Sequence, residues 1–192
     1  MEKLKVAIVL LNAFRLIPHI IIYYFHPRRG LIKDDVFVNN CNKESLIIFL
    51  KSLVFNRTYR NLFYYRIGRI QWLFSWLCPR CHDLYIRPEI KIGQRAKFTH
   101  NHTTHLNTNL IGDDFECFHL VTIGNSKGGT PRIGNNVCVY TGAMILGDIT
   151  IGNNVRIGAG SIVLKDVPND ATVTGNPAKI VRLKGQKVDI KL

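Results

Sequence analysis

From Ile133 onward, apolar residues return every six positions: Ile133, Val139, Ile145, Ile151, Ile157 and Val163. Four positions beyond each stands a small or aliphatic residue, namely Val137, Ala143, Ile149, Val155, Ser161 and Val167. A helix repeats near 3.6 and a single strand near 2, so neither accounts for a strict six. One hexad is a short strand plus a tight corner. Three close a triangular coil whose apolar interior is covered by the next coil, so the period predicts a parallel β-helix prism. The beat begins earlier, at Ile86, Ile92-Gly93 and Phe98, and resumes at Ile111-Gly112, Cys117 and Ile123-Gly124. It slips by one residue between Phe98 and Ile111, and four extra residues enter between Ile123 and Ile133, within residues 125–131. Loops leave a solenoid wall where its register breaks, and function concentrates on loops.

Upstream the pattern is helical. The run Val6 to Phe25 is apolar apart from Asn12, Arg15, Pro18 and His19. Lys5, Asn12, His19 and His26 are seven apart and would line one polar stripe on a greasy rod. A full membrane span is disfavoured by Arg15 and Pro18, so peripheral membrane contact through residues 5–26 and burial against protein are the two readings. No small-residue cleavage site follows, which argues against a cleaved export signal and for a cytoplasmic location, membrane-associated under the first reading. Leu46, Phe49, Leu50 and Leu53 form an apolar helix face, and Asn56 opens another helix carrying Leu62, Phe63, Tyr64 and Ile67. Arg57, Arg60, Arg66 and Arg69 recur at helical spacing, as a basic ridge or a solvated face. The expected organisation is a helical region over 1–85, the prism over 86–171 and a basic tail over 172–192.

Charge adds a constraint. The 192 residues carry 26 Lys+Arg against 13 Asp+Glu, a formal +13, which points to an anionic partner such as a phosphate-rich donor, an acidic glycan or an acidic membrane. No stretch has the form of a nucleic-acid module, and none is expected as a partner. The five cysteines are mostly scattered, which suits a reducing compartment. Cys78-Pro79-Arg80-Cys81-His82 spells a c-type haem attachment pattern, but without export the pattern reads as a coincidence at a domain junction.

Candidate chemistry lies at the first register break: His100-Asn101-His102-Thr103-Thr104-His105, with His119 downstream. A neutral imidazole can take a proton from an alcohol at neutral pH. The residues from about Arg87 to Gly185 resemble the hexapeptide-repeat acyltransferases, most of all their serine-acetyltransferase-like branch. The likeness rests on Pro88-Glu89-Ile90-Lys91-Ile92-Gly93, Phe98-Thr99-His100, Val121-Thr122-Ile123-Gly124, Pro131 to Val137, Ile157 to Ser161, and Gly175-Asn176-Pro177-Ala178-Lys179. Arg60 to Arg66 is similar to helical leaders of branch members in surface-glycan pathways.

The resemblance implies a left-handed β-helix, a homotrimer with its site between neighbouring prisms, and acetyl-CoA as donor with no metal. It places the general base on His100, with His102 as runner-up because of the register slip. It suggests Thr141, Gly142, Gly158 and Ala159 along the pantetheine arm, and Lys165 and Lys179, with Arg182, at the phosphates. The chain departs from the serine-specific pattern: Tyr85-Ile86-Arg87-Pro88 stands for D-I-H-P, Thr99-His100 for D-H, and Gly129-Thr130-Pro131-Arg132-Ile133-Gly134 for R-H-P-K-I-G. Most of these changes remove groups suited to gripping a small amino acid. The expected reaction is therefore O-acetylation of a sugar or surface-polysaccharide precursor, with serine O-acetylation as the alternative. A zinc enzyme like the gamma-type carbonic anhydrases, using His100 and His105, and a non-catalytic trimeric scaffold are the competing classes.

Overall fold

The computed structural model describes residues 2–99, 103–126 and 128–192, which fall into two units, residues 1–82 and 83–192. The first is helical: α1 (Glu2–Leu11), α2 (Ala13–Phe25), α3 (Arg29–Asn39), α4 (Leu46–Phe55) and α5 (Arg57–Ile67), then 3-10 turns at Gly68–Leu73 and Ser75–Leu77. Ser45 and Asn56 cap α4 and α5 by accepting from the amides of Ile48 (3.3 Å) and Tyr59 (2.9 Å). The apolar positions of α4 behave as their spacing predicts, with Phe49, Leu50 and Leu53 buried.

The rod over 5–26 is not one helix. It bends by 90° after Leu11, where the Asn12 amide and side chain both donate to the Ile8 carbonyl (3.1 and 2.7 Å) and close the last turn of α1. The seven-residue polar stripe therefore does not exist, because Lys5 and His19 lie on different helices. His19 is fully buried beside Phe63, Tyr64 and Phe74. The arginine series is divided: Arg57 and Arg69 are exposed, as a solvated face would have them, while Arg60 and Arg66 are engaged by protein. Arg66 makes a buried bidentate pair with Asp35 (2.7 and 3.2 Å), while Arg60 donates to the Leu53 and Val54 carbonyls that the end of α4 leaves open.

The second unit is the prism. One face stacks β1 (Leu84–Ile86), β4 (Thr104–Leu106), β7 (Thr122–Gly124), β10 (Met144–Leu146) and β13 (Ile162–Val163). A second stacks β2 (Lys91–Ile92), β5 (Leu110–Ile111), β8 (Arg132–Ile133) and β11 (Thr150–Ile151). The third stacks β3 (Lys97–Phe98), β6 (Glu116–Cys117), β9 (Cys138–Val139), β12 (Arg156–Ile157) and β14 (Ala171–Thr174). All of these pair in parallel, and the six-residue beat supplies the inward positions of most rungs, with Leu106 and Val173 entering off the beat. Leu106, Ile123, Ile145 and Val163 form one buried column, and Cys117, Val139, Ile157 and Val173 another. The hexad reading of the fold holds. Residues 172–192, set apart above as a basic tail, instead continue the third sheet: β15 (Lys179–Leu183) and β16 (Gln186–Lys191) add antiparallel to β14. Val173 and Ile180 are buried there, while the lysines point outward on a sheet that the hexad pattern could not reveal.

One corner, between the second and third faces, is built identically at each level. The amides of Gln94, Asp113, Asn135 and Asn153 donate to the side-chain oxygens of Asp113, Asn135, Asn153 and Asn169 on the next rung, at 2.7–2.9 Å. The residue after each, Arg95, Asp114, Asn136, Asn154 and Asp170, has φ of 52–59°, a region Asn and Asp tolerate better than most. The preceding glycines serve a different need. A Cβ on Gly134 would lie 2.7 Å from Asn153 Oδ1 and 2.8 Å from the Gly152 carbonyl carbon, so close approach, not dihedral freedom, demands glycine.

Two predictions follow from these environments. Gly134→Ala should destabilise the prism by about 1–3 kcal/mol in denaturant melts, whereas Gly30→Ala, where a Cβ meets nothing within 4 Å, should not destabilise α3. The second concerns His19. Tyr64 donates its only proton to the Cys78 carbonyl (2.8 Å), so it accepts from His19 Nε2 (2.9 Å), and the buried Nδ1 is left with no hydrogen-bond partner among the described residues. Burial first, then the charges of Arg60 and Arg15, lower the His19 pKa from 6.5 to about 4. The folded state thus resists a proton that the unfolded chain accepts. Stability from this site is complete above pH 6.5 and declines as pH falls toward 4, by about 3 kcal/mol. Urea melts across that window should show the slope, and His19→Gln should flatten it.

Candidate functional site

The first register break resolves into two compensating changes. β1 and β4 align Ile86 with Leu106, and β4 and β7 align Leu106 with Ile123. Two residues are therefore added between β3 and β4, and one is removed between β4 and β5. The addition falls at the corner joining the third face to the first, within 99–103. His100 and His102, the expected base and its runner-up, belong to this corner in sequence and lie outside the described residues. The described flanks fix where the segment leaves and returns: Thr99 N donates to the Cys117 carbonyl (2.9 Å), and Thr104 N donates to the Asp83 carbonyl (2.8 Å). Thr103 returns with φ of 51°.

The same corner on later rungs carries His119-Leu120, Thr141-Gly142 and Ala159-Gly160. The Gly142 amide donates to the His119 carbonyl (3.1 Å), and the Gly160 amide donates to the Thr141 carbonyl (2.9 Å). The fold therefore stacks Thr141, Gly142, Gly158 and Ala159 along the edge at which Thr99 and Thr103 also stand. Leu120, Gly142 and Gly160 occupy equivalent positions, all with positive φ (59°, 71° and 65°). Leucine in this conformation costs more than glycine, and its side chain is 45% exposed. Lys165 and Lys179 are elsewhere. Lys165 lies past β13, on the edge joining the first face to the second, in an open groove of about 530 Å³ shared with Asp148, Asp166 and Lys191. Lys179 opens β15 and pairs with Asp189 (2.7 Å).

Of two further residues at the edge, Glu116 was not singled out from the sequence and His119 was named there as lying downstream of the histidine cluster. Glu116 accepts from Lys97 (2.8 Å) and from the Thr99 hydroxyl (3.2 Å), so it holds the residue immediately before His100. His119 sits one rung beyond the histidine segment, half-buried with Nδ1 turned away from solvent. The signal for Glu116 was the rung offset: Lys97 pairs with Glu116 and Phe98 with Cys117, and only that alignment brings residues 97–99 against 116–118. Phe118 and Tyr140 stack at 5.2 Å on successive rungs beside them. His105, by contrast, points from the first face and stacks on Tyr85 (4.3 Å). Among the described residues no group of three or more His, Cys, Asp or Glu could hold a metal ion.

The second break is a hairpin. Ser126 and Gly129 exchange backbone hydrogen bonds (3.1 and 3.3 Å), so the four extra residues leave the wall and return to it. Gly129 returns hard against Asp148, where a side chain would collide. At the domain junction, Cys78 is buried, burial pushes its thiol pKa up, and Sγ donates to the Leu53 carbonyl (3.3 Å). A thioether at Cys78 would require this core to open, in keeping with the coincidental reading of the haem pattern. Brief alkylation of native protein should therefore label exposed Cys41 well before Cys78, Cys117 or Cys138, as peptide mass mapping would show.

Comparison with known proteins agrees with this architecture. Residues 130–165 match the bacterial transferase hexapeptide (six repeats) family. WcaB of Escherichia coli K12, whose name assigns it to acetyl transfer in colanic acid biosynthesis, is 44% identical over 103 residues, covering 52% of this chain and 64% of WcaB. A serine acetyltransferase of Synechococcus elongatus is 38% identical over 144 residues, covering 72% of this chain and 59% of that protein. The chain thus spans less than two thirds of the length of these relatives. Among solved structures, a serine acetyltransferase in complex with CoA superposes with a TM-score of 0.66 at 26% identity, covering 83% of this chain and 72% of that one. The soybean serine acetyltransferase apoenzyme gives 0.68 at 27%, covering 90% and 73%. Inward hexads, parallel three-faced stacking and these likenesses together identify the prism as a left-handed β-helix of the bacterial transferase hexapeptide family.

Proposed function

We propose that the protein transfers an acetyl group from acetyl-CoA to a hydroxyl of a sugar or surface-polysaccharide precursor, with His100 as general base and His102 as its runner-up. The observation that supports this reading is one edge: Thr99 and Thr103, which flank the histidines in sequence, stand at the corner that carries Thr141-Gly142 and Gly158-Ala159 on later rungs. In this reading His100 takes the acceptor's hydroxyl proton, and the alkoxide attacks the thioester carbonyl. A corner amide steadies the oxyanion as it forms. The carbon–sulfur bond then breaks, and the imidazolium returns its proton to the departing thiolate. Glu116, by holding Thr99, limits the positions open to the next residue. Leu120, Tyr140 and Met144, at 45%, 37% and 39% exposure, offer apolar wall for a pantetheine arm. Lys165 and Lys179 are proposed for its phosphates from outside this edge, Lys165 from beside Asp148 and Asp166 and Lys179 on exchanging its contact with Asp189. The site is completed by neighbouring prisms in a homotrimer.

The sugar acceptor is favoured over serine by groups on and just beyond the first face. Tyr85 is engaged in stacking on His105, and Arg87 donates to Glu89 (2.9 Å) and Asn107 (3.3 Å), so its charge is already met. A small zwitterion needs free ionic partners; a sugar hydroxyl does not. A cytoplasmic location, with peripheral membrane contact through residues 5–26, would bring the enzyme to a glycan being built at the membrane.

The test is thiol release from acetyl-CoA across serine, simple sugars and glycan fragments. Turnover should favour a glycan acceptor, and His100→Ala should lower kcat by about 10²–10⁴. Undiminished turnover in that variant would remove the base assignment. Selective turnover of serine would overturn the acceptor, and stoichiometric zinc in purified protein would favour the anhydrase class.

A further inference from the structure

We propose that α2 and the tryptophan-bearing turns after α5 form one monotopic anchor that seats in an anionic bilayer surface. The inference deepens the membrane contact proposed for residues 5–26 by naming its lipid and its second segment. It does not rest on acetyl transfer.

α2 carries two apolar stripes rather than one. Leu16, His19, Ile22 and Tyr23 face the helical core and are buried. Phe14, Ile17, Ile21 and Tyr24, three and four apart, are 87%, 45%, 54% and 44% exposed. Scattered exposed apolar residues are ordinary, but a stripe at helical spacing marks a surface made to be covered. The second segment adjoins it. Phe74, 7% exposed, packs edge-on against His19 of α2 at 4.9 Å and so pins the 3-10 turns to that helix. On either side of this pin, Trp72, Leu73 and Trp76 are 69%, 76% and 73% exposed. The Trp76 indole N–H donates to the Leu73 carbonyl (3.3 Å), so it can leave water without losing its partner.

Charge selects the occupant. Between Lys3 and Lys33 the chain has six basic residues, Lys3, Lys5, Arg15, Arg28, Arg29 and Lys33, and no acidic one. Arg15, Arg28 and Arg29 are exposed, and the Arg80 guanidinium lies 5.5 Å from the Trp72 ring centroid. Apolar side chains rimmed by cations match acyl chains beneath anionic headgroups. A second copy would bring the same cations against these, so like charge opposes that occupant. No single helix among the described residues is long and apolar enough to cross a membrane, and the 90° bend between α1 and α2 suits a segment lying in the interface.

The chain's two tryptophans are both in this anchor, so intrinsic emission reports on it directly. The full chain should float with vesicles of phosphatidylglycerol and phosphatidylcholine and not with phosphatidylcholine alone. Its emission should shift to the blue, be quenched by brominated acyl chains and recover in high salt. Phe14→Ser, and separately Trp76→Ala, should each weaken partitioning about tenfold, equivalent to roughly 1.4 kcal/mol. Both side chains are exposed, and circular dichroism checks that the variants remain folded. Absence of flotation at every phosphatidylglycerol fraction would overturn the proposal. Flotation untouched by Trp76→Ala would remove the second segment, and blue emission in buffer that varies with protein concentration would assign the surface to another copy. No acetyl-CoA enters the assay, so its outcome is separate from that of the proposed reaction.

Discussion

The prism depends on a hydrogen bond between rungs: a side-chain oxygen of Asp or Asn accepting the amide that follows a glycine on the rung before. Strands of two or three residues supply too few backbone bonds to hold a register on their own. At the corner between the second and third faces, the ladder Asp113, Asn135, Asn153 and Asn169 supplies the missing constraint. Each bond is near solvent and contributes only about 1 kcal/mol. Its larger effect is on uniqueness, because a slip of one residue would leave each amide unmet and drive a side chain into backbone where Gly93, Gly112, Gly134 and Gly152 now stand. A parallel ladder reinforces it one position on, from Arg95 to Asp114 and from Asn136 through Asn154 to Asp170.

The constraint explains where the chain tolerates irregularity. From Ile92 to Lys97, Ile111 to Glu116, Ile133 to Cys138 and Ile151 to Arg156 the spacing is always five, so the laddered corner never changes length. Every insertion and deletion falls at the other two corners, which lack the ladder. The histidine segment and the 125–131 hairpin use that freedom. A rigid corner thus lets the opposite edges vary without loss of register, and the proposed chemistry lies on such an edge.

How legible this was in the sequence depends on the range of the interaction. The hexad is local, so Ile133 to Val163 announced the prism and its tight corners. The +1 slip was visible only as a net value; two residues gained at 99–103 and one lost at 107–109 become separate once Leu106 is paired with both Ile86 and Ile123. Glu116 beside Thr99 is likewise a matter of pairing, with no mark in composition. The helical unit was read less well for the same reason. Seven-residue spacing implied a polar stripe only if the helix were continuous, and Asn12 ends it. Arginine spacing said nothing of Asp35, thirty-one positions from Arg66, which takes that guanidinium into the core.

The two units solve opposite problems of burial. In the prism, two of every six residues turn inward, and stacked coils cover them completely. The helical unit is too apolar for its own interior: one stripe of α2 fills the core around Phe49 and Phe63, and a second remains outside. Its buried polar groups, the Asp35–Arg66 pair and the His19–Tyr64–Cys78 chain of hydrogen bonds, fix how the helices pack rather than add much stability. A helix with apolar residues on both faces departs from what solubility alone would select, and the cations from Lys3 to Lys33 are what the proposed anchor would turn toward anionic headgroups. Helix packing therefore accounts for one half of the N-terminal pattern, and the proposed interface with anionic lipid would account for the other.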